Sequence, residues 1–402
     1  MAIDTVTLSD IKAARRRIRS GVILTPCKDS VPLSEITGAR VACKLDNFQR
    51  TGSFKERGAR NALLRLSPVQ RHRGVVAASA GNHALGLAYH GKLLGIPVTV
   101  VMPEFAPLIK ITTCQRLGAN VVLHGSDFAE ARAEADRIAA TGPTYIHGFD
   151  DPDIIAGQGT MGLEILEQVP DVEAIVCPVG GGGLLAGICV AVKALRPSVR
   201  VIAVESVCTG NLSAAIKEGR PVRVRRRATL ADGLATLTVG DNAFGLIRRR
   251  VDQVVRVEEK WISLAILRML ELEKTVVEGA AAAPLAALIS GKLPGLKGRR
   301  VALVACGGNI DPAILGRVIE KGLVHDGRLT RFTVTISDRP GGLAELARVI
   351  ASCGASINQV SHDRAFSGPD VSETRVMCTV ETRDRAHIAA LHRALRRAGF
   401  RP

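Results

Sequence analysis

The sequence predicts an open, mainly parallel α/β fold followed by a small α+β sandwich, and three observations predict it. Short apolar runs of Val, Ile, Leu and Ala alternate with longer helical stretches across most of the chain. Aromatic residues make up only 3% of the 402 residues while Gly contributes 40, which suits buried parallel strands better than a β-sandwich. Near residue 331 the pattern changes to strands of alternating apolar and polar residues, in the order strand–helix–strand–strand–helix.

Taken in order, an amphipathic helix is expected from Ser9 towards Arg19, with Asp10 in its first turn. The stretch Thr51-Gly52-Ser53-Phe54-Lys55-Glu56-Arg57-Gly58-Ala59 opens a helical continuation. Residues 74–78 read as a buried strand and 83–94 as a helix ended by Gly95. Strands follow at 98–102 and 120–123, and helices at 109–117 and 127–140. The Tyr145-Ile146 strand precedes a helix at 157–168. A strand at 174–178, a helix at 184–195 and a strand at 200–204 continue the alternation. Residues 217–241 read as loops around the Leu230-Ala231-Asp232-Gly233 turn, before helices at 263–273 and 278–289 and a buried strand at 301–305. Strands separated by helices of this length imply right-handed crossovers. The expected division is a larger unit over 1–322, a charged and Gly-containing linker over 323–330, and a second unit over 331–402. In the second unit, strands at 331–337, 356–362 and 371–381 and helices at 343–353 and 385–398 give a ferredoxin-like order.

Composition excludes several classes. The net charge of +16 raises nucleic-acid binding, with basic runs at 15–17, 223–227 and 248–250. None is interleaved with aromatic stacking residues, so a solvated arginine-rich surface is the reading and no nucleic-acid partner is expected. The nine cysteines are scattered, odd in number and free of C-x-x-C pairs, which argues against disulfides and zinc and for a reducing, cytoplasmic setting. No apolar run approaches the roughly 20 residues of a membrane helix, and no secretory signal precedes Arg15-Arg16-Arg17.

Four short segments fall where an open α/β sheet places its ligands. Lys55 stands behind Phe54; a Schiff-base amine needs a fixed position, although a lone lysine at a helix start is ordinarily a solvated cation. Ser79-Ala80-Gly81-Asn82-His83 follows a strand and opens a helix, where free backbone N–H groups attract an anion; a capping turn is the plain alternative. Gly180-Gly181-Gly182-Gly183-Leu184 follows a buried strand and lets the backbone wrap a phosphate. Cys306 precedes Gly307-Gly308-Asn309 at another strand end, and is by default a small core residue. Together they supply an amine, a polar side chain, a phosphate cradle and a weak donor or acceptor, the needs of pyridoxal 5'-phosphate. The glycine run also fits a dinucleotide fingerprint through Ala186, with Glu205 about twenty residues on, so a nicotinamide-dependent oxidoreductase is the rival of a different class.

With these motifs in order and spacing, residues 5–320 closely resemble the threonine ammonia-lyases (threonine dehydratases) of the tryptophan-synthase-β-like class of pyridoxal-phosphate enzymes. Residues 330–402 resemble an ACT domain through Asp338-Arg339-Pro340-Gly341-Gly342-Leu343, as in the medium-length form of that family. The resemblance implies that Lys55 forms the Schiff base and then acts as the base on the substrate Cα. It implies that Phe54 packs beside the cofactor, Asn82 bonds its 3′-oxygen, and Gly180, Gly181, Gly182, Gly183 and Leu184 hold its phosphate. Cys306 takes the place facing the ring nitrogen, where many relatives have Ser, and the loop of Ser79, Ala80, Gly81, Asn82 and His83 receives the substrate carboxylate. A neutral partner at the ring nitrogen favours prompt loss of a β-hydroxyl over a long-lived carbanion. The implied reaction is deamination of L-threonine to 2-oxobutanoate and ammonia, with L-serine as a secondary substrate, in isoleucine biosynthesis or threonine catabolism. Serine racemase and 3-hydroxyaspartate ammonia-lyase share most of these motifs. Ala80 stands where the racemase has a serine as second proton carrier, which disfavours racemisation.

Glu56 reads as a solvated acid in the first turn of its helix. Some members of the resembled family bind a cation near the position of Asp232, but Ala228 stands here where a carboxylate often does; the resemblance also matches Glu278 to a family glutamate near the cofactor. In the second unit, Asp338, Pro340, Gly341, Gly342 and Leu343 are the expected effector site, for isoleucine or valine. A dimer or tetramer is implied by the family alone.

Overall fold

The computed structural model describes residues 5–225, 227–363 and 372–402. The chain divides into two compact units, Met1–Asp311 and Pro312–Pro402. The boundary therefore falls earlier than the expected 323–330 linker. That stretch is taken up by the end of the helix Pro312–Asp326, a turn at Gly327 with φ of 73°, and the first residues of the strand Leu329–Ser337.

The first unit holds two sheets. A four-stranded, wholly parallel sheet runs in the order Asn120–Leu123, Val98–Met102, Val75–Ala78, Thr144–Tyr145. A six-stranded sheet runs in the order Cys27–Ser30, Arg40–Leu45, Arg300–Ala305, Ala174–Pro178, Arg200–Ser206, Gln253–Val257. Its only antiparallel pair among the described residues is Cys27–Ser30 against Arg40–Leu45. The interior strands Val75–Ala78 and Ala174–Pro178 are buried along their whole length, as continuous apolar runs in parallel sheets demand. Three strands escaped the sequence pattern: Cys27–Ser30, Arg40–Leu45 and Gln253–Val257, each short and interrupted by charged or polar side chains.

The helix Pro152–Gln168 is the spine that holds the functional elements in register. It packs on Gly183–Leu195 through glycine, since a Cβ on Gly187 would lie 2.5 Å from the Gly159 nitrogen. On its other side it packs on Lys55–Arg65, where a Cβ on Gly157 would lie 2.6 Å from the Arg57 carbonyl. Lys55–Arg65 is itself buried from Glu56 to Leu63. Its apolar residues Ala59, Ala62 and Leu63 join a core with Val75, Leu87, Val100 and Met102.

Two buried charged residues of that helix, Glu56 and Arg57, are paired. Arg57 donates to Asp46 (2.7 and 2.8 Å), to Glu164 (2.6 and 2.8 Å) and to Thr160 (3.1 Å), using every N–H of its guanidinium. Lys44 Nζ completes the cluster on Glu164 at 2.6 Å. Glu56 is not the solvated acid expected from its place in the first turn. It is wholly buried, accepts from the Thr51 N–H, and pairs with His90 at 3.2 Å.

The second unit has the expected element order after its leading helix. The strand Leu329–Ser337, helix Gly342–Ser352, strands Ser356–Asp363 and Glu373–Glu381, and helix Arg385–Arg397 form a three-stranded antiparallel sheet with two helices. Val371, expected to open the last strand, lies outside the described residues. The core of this unit joins Phe332, Val334 and Ile336 with Leu346, Ile350, Leu391 and Leu395.

Candidate active site

Lys55 is the first residue of its helix, and its ammonium donates to the carbonyl of Gly148 while lying 5.2 Å from the centroid of the Phe54 ring. Burial pushes its pKa down to about 8, against the opposing pull of Cys306 and Glu278. A sizeable fraction is therefore neutral near physiological pH, the state a nucleophilic amine requires. The segment before it is tied to the Cys306 turn. The Phe54 N–H donates to the Cys306 carbonyl at 2.9 Å, and Ser53 forms an isolated antiparallel bridge with Gly307.

Cys306 is buried, and burial followed by the negative charge of Glu278 keeps its thiol protonated far above the ordinary value. Glu278 is also buried. Desolvation, then repulsion from Asp232, pushes its carboxyl up to about 7. It accepts from Asn82 Nδ2 at 2.9 and 3.1 Å, so Asn82 is drawn into the same cluster.

The glycine run lies against the residue that follows Gly148. A Cβ on Gly181 would stand 2.3 Å from a ring carbon of Phe149, and one on Gly183 would stand 2.3 Å from the Phe149 carbonyl. Gly182 caps the helix Gly183–Leu195 with φ of 96°, a conformation that side chains rarely adopt. Residues 180–184 are buried, and none of their N–H groups has a protein acceptor among the described residues. Buried N–H groups are almost always paired, so this cradle calls for an anionic ligand.

The loop of Ser79, Ala80, Gly81, Asn82 and His83 opens the helix Asn82–Leu94 without a side-chain cap. A Cβ on Gly81 would meet nothing within 4 Å, so this turn faces open space. His83 is held neutral: burial and then the charge of Lys55 bring its pKa down to about 3, and its Nε2 bonds the Ile146 carbonyl at 3.1 Å.

Lys55, the 79–83 loop, the 180–184 cradle and Cys306 are thus brought together by Gly148, Phe149 and Glu278. These residues and cradle fit pyridoxal phosphate, with an amine for its aldehyde, orphaned N–H groups for its phosphate and a neutral thiol for its ring nitrogen. The Pyridoxal-phosphate dependent enzyme family model matches residues 18–307. The chain belongs to this family. It is 46% identical to an L-threonine ammonia-lyase of Thermotoga maritima over 98% of both chains. Threonine deaminase isoform 2 from Solanum lycopersicum superposes with a TM-score of 0.76 at 35% identity, over 79% of this chain and 87% of that one. A serine racemase from Dictyostelium discoideum superposes with a TM-score of 0.73 at 36% identity, over 76% and 99%. As a family member the chain is a pyridoxal-phosphate-dependent enzyme of amino-acid chemistry.

The dinucleotide rival fails on its acidic residue. Glu205 is buried and its carboxylate is spent on the start of the helix Asn211–Glu218, accepting from the Leu212 and Ser213 N–H groups at 2.6 and 3.0 Å and from the Ser213 hydroxyl. Buried and turned to that helix start, it does not face a ribose. Asp232, beside the doubted cation site, is exposed and pairs with Lys110 at 3.3 Å; Ala228 is exposed too. Among the described residues no helix is long and apolar enough to cross a membrane.

Sequence reasoning missed Gly148, Phe149 and the side chain of Asn309. A carbonyl acceptor carries no side-chain signal, and Phe149 reads as an ordinary core aromatic. Asn309 was legible only as part of a glycine turn. In the second unit, Gly341 caps its helix with φ of 101° and no side-chain bond, Asp338 lies 3.9 Å from His362, and Pro340 and Leu343 are exposed. A cavity of about 450 Å³ lies beside this turn, lined by Ser337, Arg339, Glu373 and Arg401 among others.

Proposed function

We propose that this enzyme deaminates L-threonine to 2-oxobutanoate and ammonia by α,β-elimination of the hydroxyl, with L-serine as a secondary substrate. Pyridoxal phosphate, when bound, supplies an electron sink for a carbanion at the substrate Cα. Lys55 is the attachment point for it and, once displaced, the base that takes the Cα proton; a pKa near 8 suits both tasks. The N–H groups of residues 180–184 would hold the phosphate, Asn82 the phenolic oxygen, and Cys306 the ring nitrogen through a neutral thiol. Ser79, Ala80, Gly81, Asn82 and His83 would receive the substrate carboxylate at the open turn and the helix start. The first compact unit, Met1–Asp311, is read as the catalytic part.

The observation that carries elimination over racemisation is Ala80, which offers no proton carrier at the loop position where the racemase reading requires one. Full-length similarity to an L-threonine ammonia-lyase favours threonine among the hydroxy amino acids. The test is turnover of L-threonine, L-serine and 3-hydroxyaspartate, following release of 2-oxo acid, with chiral analysis of remaining serine. Rapid formation of D-serine, or preference for 3-hydroxyaspartate, would reject the assignment.

The second unit is read as an ACT domain that senses isoleucine or valine at Asp338, Pro340, Gly341, Gly342 and Leu343. Its element order and uncapped helix start support that reading. An effect of these amino acids on velocity or on substrate cooperativity is expected; its absence at saturation would remove the regulatory role. A cytoplasmic homotetramer serving isoleucine synthesis is the corresponding cellular picture, with 2-oxobutanoate as the product passed on.

A further inference from the structure

Asn82 can serve a cofactor only if its amide points the right way, because its oxygen and nitrogen have opposite roles. The structure shows what sets that direction. Asn309 Nδ2 donates to the Thr51 carbonyl at 2.7 Å, and a backbone carbonyl is an acceptor under all conditions. This contact fixes which end of the Asn309 amide faces inward. The same nitrogen donates to Asn82 Oδ1 at 2.8 Å, which fixes the Asn82 amide in turn. Asn82 Nδ2 is then turned towards Glu278, 2.9 and 3.1 Å from its two carboxylate oxygens. The two oxygens of one carboxyl lie in nearly the same direction from Nδ2, so a single N–H can serve both and the second can serve a ligand.

The relay begins four residues before Lys55 and ends at Glu278, whose N–H donates to the carbonyl of Gly307 next to Cys306, so it spans the site. Asn309 also has little freedom to turn. A Cβ on Gly52 would lie 2.5 Å from Asn309 Oδ1, and Gly52 itself has φ of 76°. The Gly308 N–H donates to the Gly52 carbonyl at 2.9 Å, which holds the two turns side by side.

We propose that Asn309 is a positioning residue that sets the polarity of Asn82, using the Thr51 carbonyl as its reference, so that one Asn82 N–H is presented to the phenolic oxygen of the cofactor. This rests on pyridoxal phosphate occupying the site as read above. Asn309 itself touches no reacting atom. Removing its N–H leaves Glu278 as the sole partner that orients the Asn82 amide, and the Asn82 N–H is then presented to the phenolic oxygen less firmly.

The experiment compares Asn309→Asp, Asn309→Ala, Asn82→Ala and the double variant Asn82→Ala/Asn309→Ala, each titrated with pyridoxal phosphate. Two quantities are read by absorbance: the dissociation constant and the ratio of the long- to short-wavelength bands of bound cofactor. A phenolic oxygen that loses its donor shifts this ratio towards the short-wavelength form. The expected fall is about three- to tenfold in each Asn309 variant, the size of one ordinary hydrogen bond. In the Asn82→Ala background the Asn309 change should add nothing, as for two residues acting through one contact. Unchanged band ratios in the single variants, or effects that add in the double variant, overturn the proposal. Should Asn309→Asp fail to fold, as judged by thermal melting of the cofactor-free protein, Asn309→Ala and the double variant decide. A wild-type protein with no long-wavelength band would instead refute the cofactor site itself.

Discussion

Lys55 and Arg57 stand two residues apart on one helix, and both are cations turned into the protein, yet they are treated in opposite ways. Arg57 finds an acceptor for every N–H, with the carboxylates of Asp46 and Glu164 on either side. Burial opposes its charge, but these two carboxylates win and raise its pKa. Asp46 shows the same balance from the other side: burial pushes it up, and Arg57 brings it below the ordinary value. Among the described residues Lys55 has one carbonyl acceptor and no carboxylate bonded to it, and burial wins. A buried cation with a complete set of partners holds structure together. One with its partners withheld is kept ready to react.

The contrast can be broken by substitution. Lys55→Met should lower turnover by at least roughly 10²- to 10⁴-fold, the range for loss of a positioned base, as measured by 2-oxo acid release. It should also remove a pH dependence. The folded pKa of about 8 lies below the ordinary 10.5, so the cofactor-free wild type loses stability as pH falls through that window. Lys55→Met should not, in urea unfolding at pH 7 and pH 10. If the variant instead loses stability at both, Lys55 is a structural cation like its neighbour.

Arg57→Met should do the reverse. It strands Asp46 as a buried charge, leaves Glu164 with Lys44 alone, and should cost about 3–5 kcal/mol in urea unfolding. A loss below about 1 kcal/mol, the value of an exposed pair, would mean that the cluster is solvated.

Glu278 sharpens the comparison at smaller scale. Its folded pKa of about 7 lies above the ordinary 4.5, so its contribution is present at low pH and lost as pH rises through 7. Glu278→Gln should flatten the stability profile of the cofactor-free protein between those values. A profile identical to wild type would show that the carboxylate is hydrated. The smallest effect is expected from Cys306→Ser, which keeps a neutral contact; turnover should stay within about fivefold, one weak hydrogen bond.

The contrast between Lys55 and Arg57 was only half legible in the sequence. Lys55 stood out because partners far along the chain, Gly180–Gly183 and Cys306, shared the chemistry of one cofactor. Arg57, Lys44, Asp46 and Glu164 drew no reading, because charge pairing across 120 positions leaves no local pattern. Glu56 was misjudged for the same reason, since His90 lies 34 residues away. The parallel strands at 74–78, 98–102 and 174–178 were legible as apolar runs. Cys27–Ser30, with two charged residues in four, was not. The division between the units was displaced because Pro312–Asp326 packs with the later residues, a tertiary preference that composition does not encode.

The collisions around Phe149 carry a consequence for variation at this site. A side chain at position 181 would strike the Phe149 ring inside the protein, whatever ligand is bound. No change of substrate or cofactor analogue can relieve that conflict. Positions 149 and 181 therefore form a coupled pair: in a library that randomises both, a residue larger than Gly at 181 should survive only beside a smaller one at 149. Position 183 lacks this escape, because its conflict is with the main chain of Phe149, which every residue at 149 would share.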